Sequence, residues 1–105
     1  MARVYTAADR ELDAVVGEPI VLELESNPTT GYDWEIEFDE SALRLVDREF
    51  EQASPGVGVG GRERFVLEPL VAGAVSLKAV LKRPWEDAAL EERAFEVRAV
   101  AASPD

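Results

Sequence analysis

Three adjacent carboxylate pairs, Asp39-Glu40, Glu86-Asp87 and Glu91-Glu92, are the residues of this chain whose types could do acid–base or metal chemistry. Such pairs can hold calcium or divide the acid and base roles of glycoside hydrolysis. Those tasks require a set separation or a glycine-centred ligand loop, and neither accompanies these pairs. The sequence has no histidine and no cysteine, which removes the commonest general base, thiolate nucleophiles, thiolate zinc sites and disulfides together. What remains offers no convergent nucleophile and base. The pairs therefore read as a solvated acidic face, and the chain reads as a non-enzyme that needs no metal or cofactor.

Recognition is the chemistry that other segments are shaped for. Asn27-Pro28-Thr29-Thr30-Gly31-Tyr32 joins two alternating apolar runs without a charge. Asn27 can hydrogen-bond its own following backbone, Pro28 fixes φ, and Gly31 can supply the positive φ that returns the chain to a strand. The spacing predicts a stiff loop with the small hydroxyls of Thr29 and Thr30 at its tip. The second segment, Gly56-Val57-Gly58-Val59-Gly60-Gly61, lacks the following Lys-Ser or Lys-Thr of a nucleotide-binding loop. Its nearly bare backbone can instead approach another protein closely, although a plain connector would have the same composition. The third is the turn Arg83-Pro84-Trp85-Glu86, where Trp85 follows a proline and falls outside any alternation, so it is expected to be an exposed aromatic anchor. Trp34 is in phase with Tyr32 and Ile36 and is expected in the core.

Strand-like runs flank these loops. Ile20, Leu22 and Leu24 alternate with polar or smaller partners, as do Tyr32, Trp34, Ile36 and Phe38. Leu43, Leu45, Val46 and Phe50 form a run whose apolar parity shifts between Leu45 and Val46, which predicts a bulge. Phe65 and Leu67 alternate until Pro69, a turn follows at Ala72-Gly73, and Val75 to Leu81 and Phe95 to Val100 supply two more strands. Val4–Thr6 and Leu12–Val16 are expected to be short edge strands, and Asp39–Ala42 a single helical turn or loop. Residues 87–94 fit either a helix or a loop leading into the last strand, and the alternation from Phe95 favours the second.

Seven to eight short strands with no crossover helix predict an all-β fold, an immunoglobulin-like antiparallel β-sandwich occupying 1–105 as one domain, with an open barrel as the rival. In a sandwich successive connections alternate between ends. The three unusual loops, 27–32, 56–61 and 83–86, occupy alternate connections and so are expected to gather at one end.

Twenty-two acidic residues against eleven basic ones give a net charge of −11, which repels polyphosphates and anionic lipid surfaces, so neither nucleic acid nor membrane is an expected partner. The residues after Met1 include no apolar signal-peptide core, and no run is long enough to span a bilayer. A processed form would look the same, so the sequence leaves the compartment open.

Taken in order, the three loop segments resemble the chagasin family of cysteine peptidase inhibitors. Asn27 to Tyr32 with Trp34 looks like the family's first motif, Gly58-Val59-Gly60-Gly61 followed by Phe65 its second, and Arg83-Pro84-Trp85 its third, within a match running from about Val16 to Val100. The resemblance implies an immunoglobulin-like sandwich whose loops plug the active-site cleft of papain-like peptidases. It implies a peptidase-binding surface made of Asn27, Pro28, Thr29, Thr30, Gly31, Val57, Gly58, Val59, Gly60, Gly61, Arg83, Pro84 and Trp85. Thr29 and Thr30 would lie nearest the catalytic cysteine, the glycine loop along one wall, and Trp85 with Arg83 along the other. A monomer is the natural form for such a wedge. An immunoglobulin-like adhesion or scaffold module using the same loops is the alternative.

Overall fold

The computed structural model describes residues 3–26, 31–52 and 61–102. Asn27, Pro28, Thr29, Thr30, Val57, Gly58, Val59 and Gly60 lie outside the described residues. Eight strands follow from the alternating runs: β1 (Arg3–Thr6), β2 (Glu11–Val15), β3 (Ile20–Ser26), β4 (Asp33–Phe38), β5 (Leu43–Gln52), β6 (Gly61–Pro69), β7 (Gly73–Lys82) and β8 (Glu91–Val100). They form two four-stranded sheets, ordered β1-β3-β6-β5 and β2-β8-β7-β4. This is the expected sandwich.

Period two decides what is buried. On β3, Ile20, Leu22 and Leu24 face inward, and on β6 Phe65 and Leu67 join them. Leu12, Trp34, Leu77, Phe95 and Val97 approach from the second sheet to complete one apolar cluster. The bulge falls where the parity changes: β5 pairs with β6 in register up to Leu45 and resumes at Asp47, leaving Val46 as the extra residue. Asp39–Ala42 is a turn in which the Ala42 and Leu43 amides donate to the Asp39 carbonyl. The Asp39 carboxylate accepts from the Ser41 hydroxyl at 2.6 Å and the Ser41 amide at 2.9 Å, and these bonds hold its pKa below the ordinary value.

The expectation of a wholly antiparallel sandwich needs one amendment, because β1 pairs with β3, and β2 with β8, in parallel. The N-terminal segment runs up one sheet beside β3, crosses over at residues 7–10, and returns down the other beside β8. Each half therefore points the same way as its neighbour. Tyr5 pins the crossover by donating its hydroxyl to the Asp13 carbonyl at 2.6 Å. Since β1 stops opposite Glu23 and β2 starts opposite Glu96, it leaves the edges of β3 and β8 uncovered near the loop end. The Trp34 indole caps one of them, donating from Nε1 to the Glu25 carbonyl at 2.8 Å.

The last strand also begins earlier than the alternation from Phe95 suggests. Glu91–Arg93 belong to β8, paired with Ala79–Leu81, and the helical option for Ala88–Arg93 is not taken. Ala88–Leu90 remain in the connection, while Glu91–Arg93, which have good helix propensity, become strand because the ladder with β7 satisfies their backbone.

Candidate functional site

Strand register brings the roots of the three loops together. Ser26, where the first loop leaves, lies opposite Gly61, where the second returns, and Gly61 lies opposite Gln52 across the next ladder. In the other sheet Asp33, which closes the first loop, faces Lys82, which opens the third. Trp34 joins the two sheets at this end through its bond to Glu25. Of the loop residues singled out by sequence, Gly31, Gly61, Arg83, Pro84 and Trp85 are described, and all five sit at this one end. Gly61 is buried in the ladder, whereas Pro84 and Trp85 are exposed.

The third loop is internally braced. Glu86 N donates to the Arg83 carbonyl at 3.0 Å to make a tight turn around Pro84-Trp85, and Leu90 N donates to the Leu81 carbonyl at 2.8 Å to close the base. The turn presents Trp85 with 72% of its surface accessible, far more than a tryptophan folded onto its own domain would keep. Arg83 lies 4.5 Å from the Tyr32 ring centroid and 5.9 Å from that of Trp85, and its Nη1 is 3.3 Å from Glu86 Oε1. A single guanidinium thus connects the end of the first loop to the third by two cation–π contacts and an ion pair.

Gly31 is the point of closest approach. Its φ of +83° is one that L side chains rarely adopt, and a Cβ there would stand 3.3 Å from Trp85 Cη2 and 3.7 Å from Arg83 Nε. Gly31→Ala is expected to lower stability by about 1–2 kcal/mol through backbone strain and to push the tryptophan off its seat. Urea unfolding checks the first effect and Trp85 fluorescence the second. An unchanged midpoint and spectrum would mean that residue 31 can leave this conformation freely.

The carboxylate pairs behave as a solvated acidic face. Glu86 pairs with Arg83, Glu91 with Arg93 at 2.5 Å and Glu92 with Lys78 at 2.8 Å, each of them on the surface. Among the described residues no group of three or more His, Cys, Asp or Glu side chains could hold a metal ion.

Sequence reasoning missed two roles. Tyr32 reads as the first inward aromatic of a strand, yet β4 starts at Asp33 and Tyr32 is half-buried beneath Arg83. Its signal was only its place beside Gly31. Beneath the rim, Arg48 on β5 binds Glu63 on β6 through Nε and Asp33 on β4 through Nη2 at 2.8 Å. Nothing local in the sequence links residues so far apart.

Comparison with known proteins agrees with this architecture. The family described as Chagasin family peptidase inhibitor I42 matches residues 13–99. Chagasin from Trypanosoma cruzi is 32% identical over 92 residues, covering 82% of this chain and 84% of its own length. Amoebiasin-1 from Entamoeba histolytica is 33% identical over 70 residues, covering 66% of this chain and 69% of that protein. The crystal structure of a cysteine protease inhibitor from Entamoeba histolytica, 24% identical, covers 93% of this chain and 95% of that one with a TM-score of 0.82.

Proposed function

This chain belongs to the chagasin family of peptidase inhibitors, and we propose that it reversibly inhibits papain-like cysteine peptidases by seating three loops, 27–32, 56–61 and 83–86, in the active-site cleft. The observation that carries the loop assignment is the common rim: Ser26, Gly61 and Gln52 in one sheet and Asp33 and Lys82 in the other place all three loop roots side by side. On this reading Thr29 and Thr30 lie nearest the catalytic cysteine. Val57, Gly58, Val59 and Gly60 line one wall, with Gly61 anchoring them in the β6 ladder, and Trp85 packs against the other with Arg83 behind it. Asn27, Pro28 and Gly31 hold the central loop in shape.

The physical basis of inhibition is preorganisation. A peptidase cleaves chains that can extend through its groove and reach the reacting geometry. On this reading the first loop, whose described end at Tyr32 is tied by Arg83 to Trp85, fills the groove without presenting a bond in that geometry, and the less freedom it has to lose the tighter it binds. Enzyme–inhibitor interfaces bury about 1,600 Å² in total, within reach of three loops at one end of a sandwich. The mechanism is steric exclusion of substrate, with no covalent step.

Titration against papain-like peptidase in the presence of an active-site-directed label tests target class and site together. The inhibitor is expected to block labelling in one-to-one proportion and to be recovered uncleaved. Full labelling at micromolar inhibitor would sink the proposal, and inhibition that leaves labelling intact would relocate the binding site.

A further inference from the structure

The inner face of β6 is apolar except at one place. Between Gly61 and Phe65, facing inward near the loop end, stands Glu63, with only 7% of its surface accessible. A buried carboxylate is costly unless paired, and its partner is Arg48, which also stacks over Phe65 with its guanidinium carbon 5.0 Å from the ring centroid. The same guanidinium reaches out of its sheet to Asp33 Oδ1 at 2.8 Å, and that oxygen also accepts the Trp34 amide at 3.0 Å. Asp33 is the first residue after the first loop, on the second sheet. Glu63 follows the second loop closely, on the first sheet.

We infer that Arg48 is a positioning residue for inhibition: by gripping Glu63 and Asp33 at once, it locks the stem of the first loop to the stem of the second across the two sheets. This rests on the three-loop reading above. Apart from the Trp34 bond to the Glu25 carbonyl, the core cluster through which the sheets meet is apolar, and its attraction is non-directional and permits small slides. A wedge drawn from both sheets must enter a rigid cleft with its parts in fixed relation, to within about 0.5 Å. The planar fork of arginine, bonded on two edges and stacked on a ring, resists such a slide as a leucine contact would not. Glu63 is buried but Arg48 keeps 36% of its side chain accessible, so the pair sits at the core's edge, where it sets direction while adding little stability over a hydrophobic replacement. A charged residue breaking an apolar face is also where a role beyond folding is to be sought.

The test is a mutant cycle read as the inhibition constant for a papain-like peptidase, with thermal midpoints measured alongside. Asp33→Ala severs the cross-sheet tie while leaving the buried pair. The Asp33 side chain is 55% exposed, so the midpoint should hardly move, while the inhibition constant rises about tenfold as the stems lose their alignment. The double variant Arg48→Met/Glu63→Leu removes the buried pair in favour of apolar side chains of similar volume. It should fold with near-native stability and show the same loss. Asp33→Ala should then add nothing in that background, because its effect passes through Arg48. If the double variant does not fold, Arg48→Lys replaces it in the cycle, since one ammonium cannot span both carboxylates in the same geometry.

Equal effects of Asp33→Ala in both backgrounds would mean that Asp33 touches the peptidase directly, and would overturn the inference. So would an unchanged inhibition constant for Asp33→Ala when Trp85→Ala weakens inhibition strongly. If both single variants are silent, the three-loop reading itself fails and this inference falls with it.

Discussion

Trp85→Ala should weaken inhibition of a papain-like peptidase by about 2–4 kcal/mol, roughly 30- to 1,000-fold, while the thermal midpoint stays nearly unchanged. The two halves of this expectation have one cause. Trp85 gives 72% of its surface to solvent and, among the described residues, has its ring tip near Gly31 and Arg83 close to its ring. Little packing is lost when it is removed from the isolated protein. In a complex the same ring would be desolvated at the edge of the wedge, where aromatic anchors have their largest effects. Inhibition kinetics and a melting curve on one preparation decide the matter. A loss below threefold would remove Trp85 from the interface, and a midpoint that dropped by many degrees would make it a structural residue.

The other tryptophan should respond in the opposite way. Trp34 is 4% exposed, belongs to the core cluster, and caps the Glu25 carbonyl that the short β1 leaves uncovered. Trp34→Ala combines a large cavity with an orphaned edge carbonyl and is expected to cost about 3–5 kcal/mol. For a domain of this size that corresponds to a fall of at least about 12 °C in midpoint. Trp34→Phe separates the contributions, since it keeps most of the volume and loses the hydrogen bond, and should cost about 1–3 kcal/mol. Urea unfolding of the two variants measures both. If Trp34→Phe were as stable as the parent, the Glu25 carbonyl would have to be satisfied by water and the indole bond would not be what protects that edge.

The contrast between the tryptophans was legible in the sequence because it depends on local context. Trp34 stands in phase within the cleanest alternation of the chain, and Trp85 follows a proline outside any alternation. The bulge in β5 was legible for the same reason, since two adjacent apolar residues, Leu45 and Val46, cannot both face inward on a regular strand. The side-by-side placement of the loop roots followed from connection parity in a two-sheet fold. Less was legible where neighbours are supplied from far away. Glu91–Arg93 have helical propensity, and only the ladder with β7 makes them strand. The parallel pairing of β1 and β2 came from one segment crossing between sheets, which no local pattern announces.

The sequence by itself determined the strand pattern, the absence of thiol and imidazole chemistry, the loops available for recognition and the family to which the chain belongs. These are properties of residue type and spacing along the backbone. Only the tertiary structure decided that Arg83 would connect Tyr32 to Trp85, that Gly31 would lie beneath the tip of the indole, and that Arg48 would hold Asp33 and Glu63 from opposite sheets. Those contacts depend on distances between segments remote in sequence, which are set when the two sheets pack and not before.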